Sequence, residues 1–143
     1  MTFHYIKFTT YCHATEDPSK VKEALINAAG REVEIEEELV KGHYGNTITI
    51  MRCELSKSVE YKTLFDDLPK ELVESLLDTV EKRIDEDCNF YFRLDKASAY
   101  LEEPRLSDGN YVIKIRAKVE TYPAKRKKAL NNIKQFLNKC IEE

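Results

Sequence analysis

Cations and aromatic rings alternate with apolar residues in three short stretches: "FHYIKFTTYCH" from Phe3, "NFYFRLDK" from Asn89 and "YVIKIRAKVE" from Tyr111. Successive side chains of a strand point to opposite faces. Tyr5, Lys7, Thr9, Tyr11 and His13 therefore share one face of the first stretch, against Ile6, Phe8, Thr10 and Cys12. Tyr91, Arg93 and Asp95 oppose Phe90, Phe92 and Leu94 in the second, and Lys114, Arg116 and Lys118 oppose Ile113, Ile115 and Ala117 in the third. If these strands are neighbours, cations for phosphates and rings for base stacking occupy one surface, which is what a single-stranded RNA platform needs. The same residue types also furnish an ordinary solvated sheet face. The glutamates at 32, 34, 36 and 38 count against RNA, because they pair with cations or repel phosphate.

A second constellation is "YPAKRKKAL", Tyr122 to Leu130. Lys125, Arg126, Lys127 and Lys128 fall in the first turns expected of a helix, at the positive end of its dipole. A bound phosphate would relieve that conflict, as would pairing with the protein's own acids. Arg126 lies on the inward stripe, four before Leu130 and seven before Ile133, a position that suits an intramolecular anchor. A third constellation is acidic. Asp85, Glu86, Asp87 and Asp95 offer carboxylates of the kind that hold Mg²⁺ for phosphodiester hydrolysis, although acids at a helix end and loop are usually just solvated. No Ser-His-Asp, Cys-His or phosphate-loop pattern stands out, and Cys12 and His13 point to opposite faces of their strand. No metal-ligand spacing links the histidines and cysteines, so no metal or cofactor is expected.

The stretch "KGHYGNTITI" adds a fourth candidate. Gly42 and Gly45 permit positive φ and Asn46 favours a turn, so a hairpin connection accounts for them. It does not account for His43 and Tyr44, which either fold back over the sheet edge or stack on a base.

The elements that must position these groups follow from periodicity. Strands are expected over 3–13, 31–40, 47–55, 89–96 and 111–120. Asp17-Pro18 opens a helix carrying Val21, Ala24, Leu25 and Ala28 inward, which stops near Gly30. Pro69 opens a long helix with Leu72, Val73, Leu76, Leu77, Val80 and Ile84 inward, and Pro123 a last one with Leu130, Ile133, Leu137 and Ile141 inward. Strands with one polar face belong to an antiparallel or mixed sheet of about five strands, with helices on the apolar face. The fold class is a two-layer α+β domain, one domain over residues 1–143. The net charge of −3 supplies no overall field toward nucleic acid, so a basic surface must be local. The N-terminus lacks a signal-peptide layout and no apolar run would span a bilayer, which predicts a soluble cytoplasmic protein. Cys12, Cys53, Cys88 and Cys140 are expected as free thiols.

Four stretches in order, "HATEDPSKVKEAL", "GHYGNTI", "RIDEDCNFYFRLDKASAY" and "YPAKRKKAL", resemble a family of small archaeal proteins described as RNA-binding or predicted exosome-associated subunits. The resemblance implies a fold similar to large-subunit ribosomal protein five and a role in RNA processing or translation, with no known catalytic centre. Carried over residue by residue, the matching positions are His13, Thr15, His43, Tyr44, Asn46, Arg93, Asp95, Lys96, Tyr100, Lys125 and Arg126. The chain departs from the family pattern at Ala97 or Ser98, where a longer polar side chain is usual, and at Thr47, where proline is common.

The reading that follows is a non-enzymatic RNA-binding protein. Its expected RNA contacts are His43, Tyr44, Asn46, Tyr91, Arg93, Lys96, Lys114, Arg116, Lys118, Lys125 and Arg126. Among them His43, Tyr44 and Tyr91 are the stacking candidates. The alternatives are a Mg²⁺-dependent ribonuclease built on the Asp85–Asp95 acids and a protein-interaction subunit of an RNA-processing complex.

Overall fold

The computed structural model describes residues 2–42 and 44–142. The strands are β1 (Phe3–His13), β2 (Glu36–Lys41), β3 (Thr47–Leu55), β4 (Asn89–Asp95) and β5 (Val112–Val119). They form an open antiparallel sheet in the order β2-β3-β1-β5-β4. The helices are α1 (Pro18–Ala29), α2 (Ser58–Asp67), α3 (Lys70–Asp78), α4 (Lys96–Tyr100) and α5 (Arg126–Glu142). The α+β class and the five-stranded sheet expected from the alternation are what the chain adopts. Its residues group into two units, one holding the chain up to Ile6, Leu55–Phe92 and everything from Arg116, the other Lys7–Glu54 and Arg93–Ile115.

The first unit is built on aromatic rings. Phe3 meets Tyr61 edge-on at 5.5 Å and Phe136 at 5.3 Å, and stacks on Phe65 at 5.9 Å. Phe65 in turn meets Phe92 at 6.0 Å. Such pairs add about 0.5–1.5 kcal/mol each beyond burial. They fix the inward faces of β1 and β4 against α2 and α5, so Tyr5 and Tyr91 face away from that core.

In the second unit Asp17 caps α1 by accepting the Ser19 N–H at 2.9 Å, Pro18 occupies the first turn, and Gly30 ends the helix at φ 78°. That left-handed conformation carries little penalty for glycine. α1 packs on α4, with Asn27 Nδ2 donating to the carbonyls of Ala99 (3.1 Å) and Tyr100 (3.2 Å). Asp95 caps α4 through the Ser98 N–H at 2.8 Å. Buried Thr10 donates its hydroxyl to the Val112 carbonyl at 3.0 Å.

Four local expectations are corrected. The helix expected from Pro69 through Ile84 ends at Asp78, followed by a 3-10 turn over Val80–Lys82, and Ile84 bridges to Phe90. Thr79 takes φ −113° at the end of α3, where its hydroxyl donates to the Ser75 carbonyl at 2.7 Å and accepts from Arg83 Nε at 2.7 Å. The strand expected from Arg31 begins only at Glu36, and Leu39, expected inward, is 73% exposed, because β2 lies at the end of the strand order. α5 starts at Arg126 and buries Ala129, Ile133 and Leu137, leaving Leu130 half-buried. α2 was not expected, although its buried Tyr61, Leu64 and Phe65 stand at helical spacing. All four cysteines are free thiols, with Cys12, Cys53 and Cys88 buried.

Candidate nucleic-acid interface

In the first unit, β1 and β5 turn Tyr5, Arg116 and Lys118 away from the core while Ile6, Ala117 and Val119 are buried. The Arg116 guanidinium carbon lies 6.0 Å from the centre of the Tyr5 ring. Lys118 Nζ donates to the Asp87 carbonyl. Tyr91, 41% exposed on β4, donates its hydroxyl to Asp85 Oδ2 at 2.9 Å. That tether holds the ring in one orientation.

In the second unit Lys114 Nζ lies 5.4 Å from the Tyr11 ring centre, and Arg93 is exposed on β4. A cation within about 6 Å of a ring is attracted to its face. These pairs place positive charge beside rings on the solvent side of their strands. Toward β2 the balance changes. Lys7 pairs with Glu54 at 4.0 Å, Arg52 with Glu38 at 3.0 Å and Lys22 with Glu37 at 3.5 Å. The glutamates of β2 therefore neutralise cations of β3 and α1, and leave those of β5 outside that network.

Lys96 meets surroundings unsuited to the expected phosphate contact. It is 4% exposed, and its Nζ donates to the Tyr11 carbonyl at 2.6 Å and to both oxygens of Glu16 at 3.1 and 3.2 Å. It also sits 4.1 Å from the centre of the Tyr111 ring, whose hydroxyl donates to Glu16 Oε2 at 2.5 Å. Glu16 accepts the His13 N–H as well, at 3.1 Å. Burial alone would raise the Glu16 carboxyl. The hydrogen bonds from Tyr111, the His13 N–H and Lys96 outweigh it and hold the group below the usual carboxylate value. The Tyr111 phenol, donating to that carboxylate and partly desolvated, is pushed up to about 12. Sequence reasoning missed Glu16 and Tyr111, which lie 95 positions apart and carry no local signal of pairing.

Arg126 is the intramolecular anchor that its place on the inward stripe suggested. Its Nε donates to the Ile84 carbonyl at 3.2 Å and Nη2 to the Glu81 carbonyl at 2.6 Å. Lys128 donates to the Tyr122 carbonyl, while Lys125 and Lys127 are exposed.

The connection between β2 and β3 explains its glycines. Gly42 N–H donates to the Asn46 carbonyl, and a Cβ on Gly42 would lie 3.1 Å from Ile48 Cδ1. Gly45 has φ 79°, left-handed backbone that favours glycine. Tyr44 is 87% exposed and Asn46 is exposed beside it. His43 lies outside the described residues.

Two of the four acids, Asp85 and Asp95, hold the protein's own hydrogen-bond donors. Asp85 Oδ1 accepts the backbone N–H groups of Asp87 and Asn89, both at 2.9 Å, and Oδ2 accepts Tyr91 and Asn89 Nδ2. Burial would raise the Asp85 carboxyl, but these bonds together lower it. Asp95 is a helix cap. Among the described residues no three His, Cys, Asp or Glu side chains gather where a metal ion would be held. None of their helices is long and apolar enough to cross a membrane.

An open antiparallel five-stranded sheet with five helices defines an α+β protein. The chain belongs to a protein family described as RNA binding, which matches residues 5–119. It is 34% identical to RNA-binding protein PAB1135 of Pyrococcus abyssi, an alignment covering 94% of this chain and 93% of that one. The structure of Mth689, a DUF54 protein from Methanothermobacter thermautotrophicus, is similar with a TM-score of 0.85 and 33% identity, covering 96% of this chain and 99% of that chain. Protein SSO0741 from Sulfolobus solfataricus shares the fold at a TM-score of 0.76 and 22% identity, covering 96% of this chain and 97% of that chain.

Proposed function

We propose that the protein binds RNA, single-stranded or structured, without catalysing a reaction on it, and serves an RNA-processing, exosome-associated or translation-associated complex. The observation that carries this reading is the placement of Lys114 over Tyr11 and Arg116 beside Tyr5 on outward strand faces. Arg93, Lys114, Arg116, Lys118 and Lys125 contact phosphates in this reading. Tyr91 and Tyr44 offer rings, Asn46 a polar contact at the hairpin tip, and Lys96 and Arg126 hold the protein together. His43 remains part of the proposal as a neighbour of Tyr44 in sequence. The proposal includes a fold related to large-subunit ribosomal protein five, which superposition of the two structures tests.

The test is a titration of mixed-sequence single-stranded RNA at several salt concentrations. Four or five phosphate contacts at about −0.7 each give an expected log–log slope of about −3. Absence of binding at low salt, or a flat salt response, rejects the reading. The same RNA incubated with Mg²⁺ should remain intact. Metal-dependent cleavage that Asp85→Asn abolishes would put a nuclease in its place.

β2 supports a protein partner in addition. Glu36, Glu37, Glu38 and Leu39 are exposed on a strand at the end of the sheet order, a surface suited to a basic polypeptide and unsuited to RNA.

A further inference from the structure

A cleft of about 300 Å³ opens in the second unit, and none of the residues lining it is assigned above to an RNA phosphate. Thr15, Asp17 and Lys20 contribute from the start of α1, Ala97 and Tyr100 from α4, and Tyr111 from the approach to β5. Two of the stretches that carry the family resemblance thus contribute to one cavity.

The volume lies at the lower limit of small-molecule sites, which run from ~300 to 1,000 Å³. It admits one flat ring system with its sugar and not a stack of nucleotides. Two phenol rings stand at its border half in water: Tyr100 is 38% and Tyr111 49% exposed. Burial does not explain why rings of this size are left there. Their setting is rigid. Tyr111 is tied to Glu16, which is clamped by Lys96, and these last two side chains are only 9% and 6% exposed although both line the cleft. Tyr100 ends α4, whose last carbonyls are bonded by Asn27. Preset rings lose little freedom when a ligand stacks on them.

The charges select among flat ligands. Glu16 and Asp17 oppose Lys20 and Lys96, so the lining is formally neutral and does not concentrate free anions or cations. Lys20 Nζ lies 6.0 Å from the Tyr100 ring centre and is exposed, so its charge is available outside the cleft. Asp17 presents a carboxylate, an acceptor without a donor, and one of its oxygens already serves the Ser19 N–H. A ligand meeting it needs N–H groups along its edge.

We propose that this cleft receives a single unpaired nucleobase of RNA, stacked on Tyr100 or Tyr111 with its hydrogen-bonding edge toward Asp17 and the adjoining phosphate toward Lys20. Guanine, with two adjacent N–H donor groups on that edge, fits better than uracil, which has one. The inference rests on the RNA-binding reading for its biological ligand. The cleft itself is tested independently with nucleosides.

The experiment titrates the full chain with guanosine and with uridine while following the ring signals of Tyr100 and Tyr111 by NMR. A uridine-only oligomer and the same oligomer with one central guanosine are then compared for affinity. Guanosine should move both ring signals and the guanosine-containing oligomer should bind more tightly. Tyr100→Leu, which keeps apolar volume and removes the stacking face, should weaken that oligomer by roughly 5- to 150-fold, the loss of one stacked base. Asp17→Asn keeps a good helix cap and should erase the preference for guanosine. If guanosine leaves both rings unmoved, or if RNA binds equally to wild type and both variants, the cleft is not a base site, and the RNA-binding reading stands on its own salt titration. If guanosine moves the rings while no RNA binds, the cleft is upheld as a nucleoside site and the RNA reading falls.

Discussion

Lys96 illustrates what a residue's type conceals when its partners are distant. In sequence it is a lysine after an alternating strand, at a position matching a family of RNA-binding proteins. In the fold it is the counter-charge of Glu16, 80 positions away, and holds a ring against its own chain. No periodicity within "NFYFRLDK" reports that distance. The two roles make opposite predictions. Removing one partner of a buried pair leaves an uncompensated charge and costs about 3–5 kcal/mol. Lys96→Met should therefore lower thermal stability severely, and RNA affinity only as far as the protein unfolds. A variant with an unchanged melting temperature and a smaller salt slope of RNA binding would restore Lys96 to the phosphate contacts.

At the scale of elements, legibility follows the range of the forces. α1 was readable because its signals, Asp17, Pro18 and Gly30, act within a turn of where they stand. The outward faces of β1, β4 and β5 were readable because the period of two is imposed locally. The expectation for α3 runs too far because its apolar spacing continues through Val80 and Ile84, which belong to a 3-10 turn and a bridge, and that for β2 starts too early because alternation is the same on an edge as in the middle of a sheet. The β2–β3 connection divides similarly: its glycines are explained by backbone geometry, and Tyr44 is left 87% exposed. Tyr44→Ala should change the melting temperature little, since so little of the ring is buried. If the tip stacks on RNA, the same variant loses about 1–3 kcal/mol of affinity. Circular-dichroism melts beside binding titrations decide it. A clear loss of stability with unaltered binding would make the ring structural.

Over the whole molecule, ionisation couples to folding at both ends of the pH scale. Glu16 and Asp85 are held below the ordinary carboxylate range in the folded chain, so unfolding raises their proton affinity. Their contribution is fully present above the unfolded values, about 4, and fades as pH falls through the lower folded values. Tyr111 behaves inversely. Its folded pKa of about 12 exceeds the ordinary value of 10, so its contribution is intact below pH 10 and is lost as pH rises through about 12. One hydrogen bond, Tyr111 to Glu16, enters both limits. Glu16→Gln replaces the carboxylate with a neutral amide, which leaves Lys96 without its counter-charge and should lower stability at pH 7. It should also flatten both limbs. The fall in melting temperature between pH 5 and 3 should shrink to the part owed to Asp85 and other acids, and the fall above pH 10 should shrink because the phenol no longer faces a negative charge. Melting curves of wild type and variant over both ranges make the comparison. Parallel curves, offset by a constant, would mean that the Tyr111–Glu16 bond does not govern either limit.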